Sequence, residues 1–357
     1  MTPNFTLTPF RLALIVAAAL ALTLTAFAPR LWLLRAPAPG TYQWDRGTTF
    51  IRQSEAPFRR DIEPAMQWRL LPPLVAHGLG LSGRPALVLP WIGVLAATAY
   101  VAVLFRRRRD DARWVAGGTL LFTTTSAVLV PCHWLGVNDA WVWLGLLAVA
   151  FDRSTWALPV ACLLCPWVDE RFVIGFPLAW LVARIDRSEP WCSPSLWQGV
   201  WLLPYLGLRL TLSRIDPAGA AVTQRFATEV FQSCVAWLPL APLAWWLGLR
   251  AAWVPIALAV RFTPVGYRTI GALTLGLTLA ATAVLASDLS RSIAILAPVV
   301  FLGCWRIETL DTASAPRRML WLGVANLLLP TAHVVHIKFD VVSPLPLEIL
   351  RLFRIPA

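Results

Sequence analysis

Apolar and polar positions fall along this chain in long blocks rather than in short amphipathic periods. Apolar runs cover 12–28, 86–105, 115–131, 140–151, 155–167, 172–182, 196–212, 235–249, 269–286, 293–305 and 320–335, with charge, Arg209 apart, confined to the segments between them. A helix needs about 20 apolar residues to cross about 30 Å of hydrocarbon. The pattern predicts an all-α, polytopic bundle of about eleven membrane helices, forming a single integral-membrane domain over the whole chain. Three consecutive runs (140–151, 155–167 and 172–182) are short for a crossing. Short helices are tolerated where they line a cavity or are buried by neighbours. The run 251–260 is shorter still and lies among Arg250, Arg261 and Arg268, so it reads as a cytoplasmic interfacial piece.

Orientation follows from arginine. The run Arg106-Arg107-Arg108-Arg109 closes the second apolar segment and marks that end as cytoplasmic by the positive-inside rule. The amino terminus is then cytoplasmic, and residues 29–85 form a first external loop, as expected of a multi-pass protein of a bacterial inner membrane. The first segment has the small-x-small Ala26-Phe27-Ala28 of a cleavage site. It reads as an anchor nonetheless, since Arg11 alone precedes it and Pro29 follows directly. Within the loop, the apolar stretch 65–81 is broken by Pro72-Pro73, Gly78 and Gly80, which predicts a helix lying in the interface. The same reasoning carries 269–286 outward and leaves Asp288 and the carboxyl tail on the external face.

Composition removes the alternatives. Hydrophobic residues make up 58% and charged ones 14%, with a mean hydropathy of +0.64, which excludes a soluble globular chain. A net charge of +12 would point to nucleic acid in a soluble protein. Here the arginines sit in short loops, so the partner they imply is membrane lipid and no nucleic acid. The six cysteines show no disulfide spacing, and Cys162-Leu-Leu-Cys165 lies inside an apolar run as buried thiols do.

Candidate chemistry concentrates on the external side. In Arg59-Arg60-Asp61-Ile62-Glu63-Pro64, paired arginines adjoin carboxylates, as a general base beside an anion site would require. Helix capping is the competing reading of Asp61 and Glu63, with Pro64 in the first turn. Asp45, ahead of Arg46-Gly47, is the second candidate base, or a turn residue. Arg69 stands in the headgroup layer, to hold a lipid phosphate or to snorkel. Asp139 follows Asn138 at a helix start, a site residue or a cap. Asp169-Glu170-Arg171 is flanked by apolar residues, where charge is costly and by default functional. Asp288 and Arg291 pair with each other or join the same site. His333-Val-Val-His336 has helical metal spacing but no adjacent acid or Cys, and His77 and His133 read as interfacial, so neither metal nor cofactor is expected. No GxSxG, HExxH or glycine-rich nucleotide loop is present.

An amino-terminal anchor, a long external loop with acids, and many crossings with irregular helices resemble the GT-C superfamily of integral-membrane glycosyltransferases. The run Trp68-Arg69-Leu70-Leu71-Pro72-Pro73-Leu74, with Asn138-Asp139, Asp169-Glu170-Arg171 and Asp288-Leu289-Ser290-Arg291, is also similar to EpsG-like bacterial polysaccharide proteins. The resemblance implies transfer of a sugar from a polyprenyl-phosphate donor to a glycan or lipid acceptor at the external face, in envelope polysaccharide or glycoconjugate assembly. It further implies a base in the first external loop, at Asp61 or Asp45, with Glu63 beside them. Arg59, Arg60, Arg69, Asp139, Asp169, Glu170, Arg171, Asp288 and Arg291 would then bind substrate. One departure stands out: residues 29–40 carry no acid, where the superfamily commonly has an acidic pair. The competing classes are a transporter or flippase of a lipid-linked or anionic substrate, and a non-catalytic subunit of a polysaccharide assembly complex.

Overall fold

A computed structural model of the protein describes residues 7–30, 42–59, 61–62, 66–190, 199–215, 236–285, 288–335 and 338–354. It is a helical membrane protein. Among the described residues, five helices are long and apolar enough to cross a bilayer: Pro9–Ala26, Arg84–Arg108, Leu238–Arg261, Val265–Val284 and Leu289–Leu310. A sixth arises if the pair Ala112–Thr123 and Ser126–His133, bent by 52°, is one span. Eleven crossings are not reached by this criterion. Several expected crossings are single helices such as Asp139–Phe151, whose 13 residues extend only about 20 Å.

The helices that matter for the site are α1 (Pro9–Ala26), α2 (Tyr42–Glu55), α3 (Leu71–Gly78), α4 (Val88–Arg108), α5 (Ala112–Thr123), α6 (Ser126–His133), α7 (Asp139–Phe151), α8 (Ala157–Leu164) and α9 (Arg171–Arg187). Two of them correct the reading of the first loop. Residues 42–55, read as loop, are helical, with Phe50, Gln53 and Ser54 buried on one side. The interfacial helix expected over 65–81 is confined to Leu71–Gly78. Its Pro72 and Pro73 fall in the first turn, where their missing N–H groups cost nothing.

The segment 251–260 is not a separate interfacial piece. Residues 253–261 form the second half of the Leu238–Arg261 span and pack tightly on the helix Ala297–Leu310. A Cβ added at Gly303 would meet the Pro255 carbonyl oxygen at 1.8 Å, so only glycine permits this approach. The two halves are joined at Arg250, which adopts φ +50° and interrupts the helix.

The expected crossing 320–335 is also divided. Helix Ala315–Leu328 stops because Pro330 forces Leu329 into extended backbone, with ψ 135°. The chain then forms an antiparallel hairpin of β1 (Ala332–Val335) and β2 (Lys338–Val341), in register Ala332↔Val341 to Val335↔Lys338. Consecutive valines and strand geometry place His333 in β1, which removes the helical His333/His336 metal spacing; His336 lies outside the described residues.

An aromatic core of Phe105, Trp114, Phe122, Phe151, Phe301 and Trp305 ties α4, α5 and α7 to Ala297–Leu310. At one end, Arg108 bonds Glu308 at 2.8 Å. The span Leu289–Leu310 carries Arg291 at its opposite end, so the charged cluster described below lies roughly 30 Å along the bundle from the Arg106–Arg109 run.

Candidate functional site

The site forms where three helix starts meet. Asp139 opens α7, Arg171 opens α9, and Arg291 follows Asp288, whose Oδ1 caps its short helix by accepting from the Arg291 backbone N–H at 3.1 Å. The Arg291 guanidinium grips the Asp139 carboxylate through Nε and Nη2. Arg171 Nη1 reaches Asp139 at 3.2 Å and Asp169 at 3.4 Å. Arg69, at the foot of α3, lies 3.1 Å from both Asp169 and Glu170, and Arg291 lies 3.5 Å from Asp169. Asp139, Asp169, Asp288 and Arg291 are all almost fully buried.

Each charge is therefore set by its neighbours. Burial works against ionised Asp169, but Arg171, Arg69 and Arg291 outweigh it and hold the carboxyl below its usual range. Burial likewise opposes the charge on Arg69, and Asp169 with Glu170 overcome it, raising that group. Asp288 behaves differently. Burial pushes it up to about 6 despite Arg291 and Arg171, and its Oδ2 has no hydrogen-bond partner among the described residues.

A small polar pocket opens against this network, with a cavity volume of about 20 Å³. Arg46, Arg69 and Arg291 line it against Asp139 and Asp169, a balance of one net positive charge; Gln53, Met66 and Asn138 complete its polar face. Gly136 shapes one side. Its φ is +74°, and an added Cβ would lie 2.9 Å from Phe50 Cβ and 3.1 Å from the Arg46 carbonyl oxygen. Glycine there lets α2 close over the turn before α7.

Pro72 and Val168 line this pocket and also a second, apolar groove of about 420 Å³. One wall of the groove is Trp141, Leu144, Gly145 and Ala148 of α7. The facing wall is Ala157, Val160, Ala161 and Leu164 of α8. Both sets follow the i, i+3, i+4, i+7 spacing of a single helix face.

Of the residues singled out in the sequence, Arg69, Asp139, Asp169, Glu170, Arg171, Asp288 and Arg291 come together. Asp61 does not join them. It is exposed at the surface, bonded by Arg59 at 2.6 and 2.7 Å and by Arg52 at 2.8 Å, and the Arg59 hydrogen bonds lower its carboxyl to about 2. Arg59 stays with it, outside the pocket. Arg60, Glu63 and the Asp45 side chain lie outside the described residues. The sequence reading missed Arg46 and Gln53. Together with Phe50 they fall at i, i+4, i+7, a signal visible only once 42–55 is read as a helix.

Behind the network, His133 and His333 are buried with Nδ1 and Nε2 2.7 Å apart. His133 Nε2 donates to the Phe27 carbonyl at 3.0 Å, so its Nδ1 accepts from His333. Val334 N–H donates to Ser290 Oγ at 2.9 Å and β1 bridges Asp288, which seats the hairpin on the site. Among the described residues, no group of three or more His, Cys, Asp or Glu side chains is placed to hold a metal ion. Comparison of the chain with family models, curated proteins and solved structures gives no match.

Proposed function

We propose that this protein is a membrane glycosyltransferase-like enzyme that takes a lipid-linked sugar at the external face, with a polyprenyl phosphate as the leaving group. One observation supports the reading: an apolar groove adjoins an arginine-lined pocket, with Pro72 and Val168 lining both. A prenyl chain fits the chemistry of the groove, which is almost wholly apolar. Its phosphate would stand at the mouth of the pocket, in the field of Arg46, Arg69 and Arg291.

A polyprenyl phosphate departs as an anion, so the reaction needs cations at the leaving group more than a general acid. Guanidiniums already locked by carboxylates supply that charge without reorganisation, because Asp139 and Asp169 fix the direction of Arg291, Arg171 and Arg69. The acceptor hydroxyl loses its proton to a carboxylate beside the charge network. Asp288 is buried behind the pocket lining, but its Oδ2 has no hydrogen-bond partner among the described residues and it lies close to Arg291 and Arg171. It therefore suits that role better than Asp61, which two arginines hold at the surface.

The test is binding followed by turnover. The purified full chain in nanodiscs should bind undecaprenyl phosphate, and should release it from undecaprenyl-phosphate monosaccharides in the presence of membrane acceptors. Retained binding after tryptophan is placed at Val160 and Leu164, both groove-lining, would show that the groove is not the lipid site.

A further inference from the structure

The polar pocket contains three buried hydrogen-bonding atoms that the network does not use. Gln53 Oε1, Asn138 Oδ1 and Arg69 Nε have no hydrogen-bond partner among the described residues, and all three side chains line the pocket. Gln53 and Asn138 are more than nine-tenths buried. Their amide orientations are fixed by chemistry. Gln53 Nε2 donates to the Met66 carbonyl at 3.1 Å and Asn138 Nδ2 donates to the Gly136 carbonyl at 3.2 Å. Only the nitrogen of an amide can do this, so both oxygens are left as acceptors.

Beside the Arg46 and Arg291 guanidiniums, these three atoms offer two acceptors and one donor. Buried polar atoms are almost always paired, so the unused set defines the complement that belongs there. An ammonium would satisfy the acceptors, but it would meet three arginines against two aspartates. A phosphate or carboxylate would find Arg69 Nε but would place its oxygens against two amide oxygens. Two adjacent hydroxyls match these three atoms in donor and acceptor character: each donates to one amide, and one of them accepts from Arg69. A single water has the same pattern, and a volume of about 20 Å³ takes a water or the hydroxyl edge of a ligand, not a whole ring.

We propose that Gln53 and Asn138, with Arg69 Nε, read a vicinal diol on the sugar of the lipid-linked donor, the ring remaining at the pocket mouth. This rests on the transferase reading above and adds to it the residues that select the transferred group. The two amides read the sugar, and the groove reads the lipid.

The experiment compares binding of bare undecaprenyl phosphate with a panel of undecaprenyl-phosphate hexoses, N-acetylhexosamines and pentoses, using the full chain in nanodiscs. At least one sugar-bearing lipid should bind about fivefold or more tighter than the bare lipid, as expected for one or two neutral hydrogen bonds. Gln53→Met, close to isosteric, should remove that advantage and leave bare-lipid affinity unchanged, which also reports that the variant is folded. Asn138→Leu gives an independent check by the same criterion. A deoxy analogue lacking the hydroxyl that Gln53 reads should lose no further affinity in the Gln53→Met variant. If bare lipid binds, the whole panel binds equally and Gln53→Met changes nothing, the pocket holds water only and the diol inference is overturned while the lipid site stands. If neither bare nor sugar-bearing lipid binds, the transferase reading falls and takes the diol with it.

Discussion

Arg291 and Asp139 are 152 residues apart in the chain and meet as a two-pronged ion pair with both side chains almost completely buried. The pair joins the start of one long span to the start of the short helix α7, and it sets the direction of both groups at the pocket. A buried pair of this kind adds little net stability over an apolar pair, yet losing one partner strands the other charge.

Asp139→Asn or Arg291→Met should therefore each destabilise the protein by about 3–5 kcal/mol. The double variant should recover part of that loss. Thermal unfolding midpoints in detergent, measured as a double-mutant cycle, give the answer; strictly additive losses would show that the pair does not act as a unit.

Asp288 predicts a pH dependence of defined sign. Its folded carboxyl is raised to about 6, above the ordinary value of 3.8, so between those values the folded state binds more protons than the unfolded chain. Stability attributable to this group falls as pH rises from about 4 to about 6, and the cost is fully present above that. Asp288→Asn keeps an oxygen for the cap and removes the charge. At pH 7 and above it should stabilise the protein by an amount on the order of 2–3 kcal/mol and flatten the dependence between pH 4 and 6. Unfolding midpoints recorded across that range for both proteins provide the measurement.

The same variant discriminates between bases. With a sugar-bearing undecaprenyl phosphate, Asp288→Asn should lower turnover by 10²-fold or more while donor binding is retained, in the range expected for a lost general base. Asp61→Asn should leave turnover within about twofold, since its carboxylate serves a surface ion-pair group. Asp45→Asn decides whether α2 contributes a second carboxylate. Loss of turnover in Asp61→Asn alone would return the base to the first loop.

Gly136→Ala should disturb the site from outside the charge network. The substitution sets a Cβ against Phe50 and the Arg46 carbonyl at a backbone angle that L-residues rarely adopt. A stability loss of about 1–3 kcal/mol is expected. Weaker sugar-lipid binding should accompany it, as α2 is pushed away and Arg46 and Gln53 shift from the pocket. Unchanged binding would show that α2 is not a wall of the site.

His333→Phe tests the hairpin seat. It leaves His133 Nδ1 buried without its donor, at a cost of about 1–3 kcal/mol. Treatment with a chelator should change neither the stability nor the turnover of the unmodified protein, because this pair is a hydrogen bond between imidazoles.

The general nature of the molecule was legible from apolar blocks, because membrane burial is written into composition directly. The convergence of Asp139, Asp169, Arg171, Asp288 and Arg291 was legible for a related reason: charges flanked by apolar residues have few places to go, and pairing with one another satisfies them. What escaped was structure that depends on partners. Helix α2 has no apolar stripe of its own and holds its place through Phe50 and Gln53, packed beneath the turn at Gly136. The hairpin escaped because Pro330 interrupts an otherwise continuous apolar run, and hydropathy does not register backbone chemistry. Asp61 looked catalytic beside its arginines. The same adjacency holds it at the surface.

The ion pair between Asp139 and Arg291 also sets an order of events during synthesis. At roughly 5–20 residues per second, the 152 residues separating them take on the order of 8–30 s to be made. Of the two arginines that bond Asp139 in the fold, Arg171, 32 residues later in the chain, is made well before Arg291. A chain that stops before residue 291 leaves Asp139 without its two-pronged partner, so the charge network is completed only when the last fifth of the protein is made.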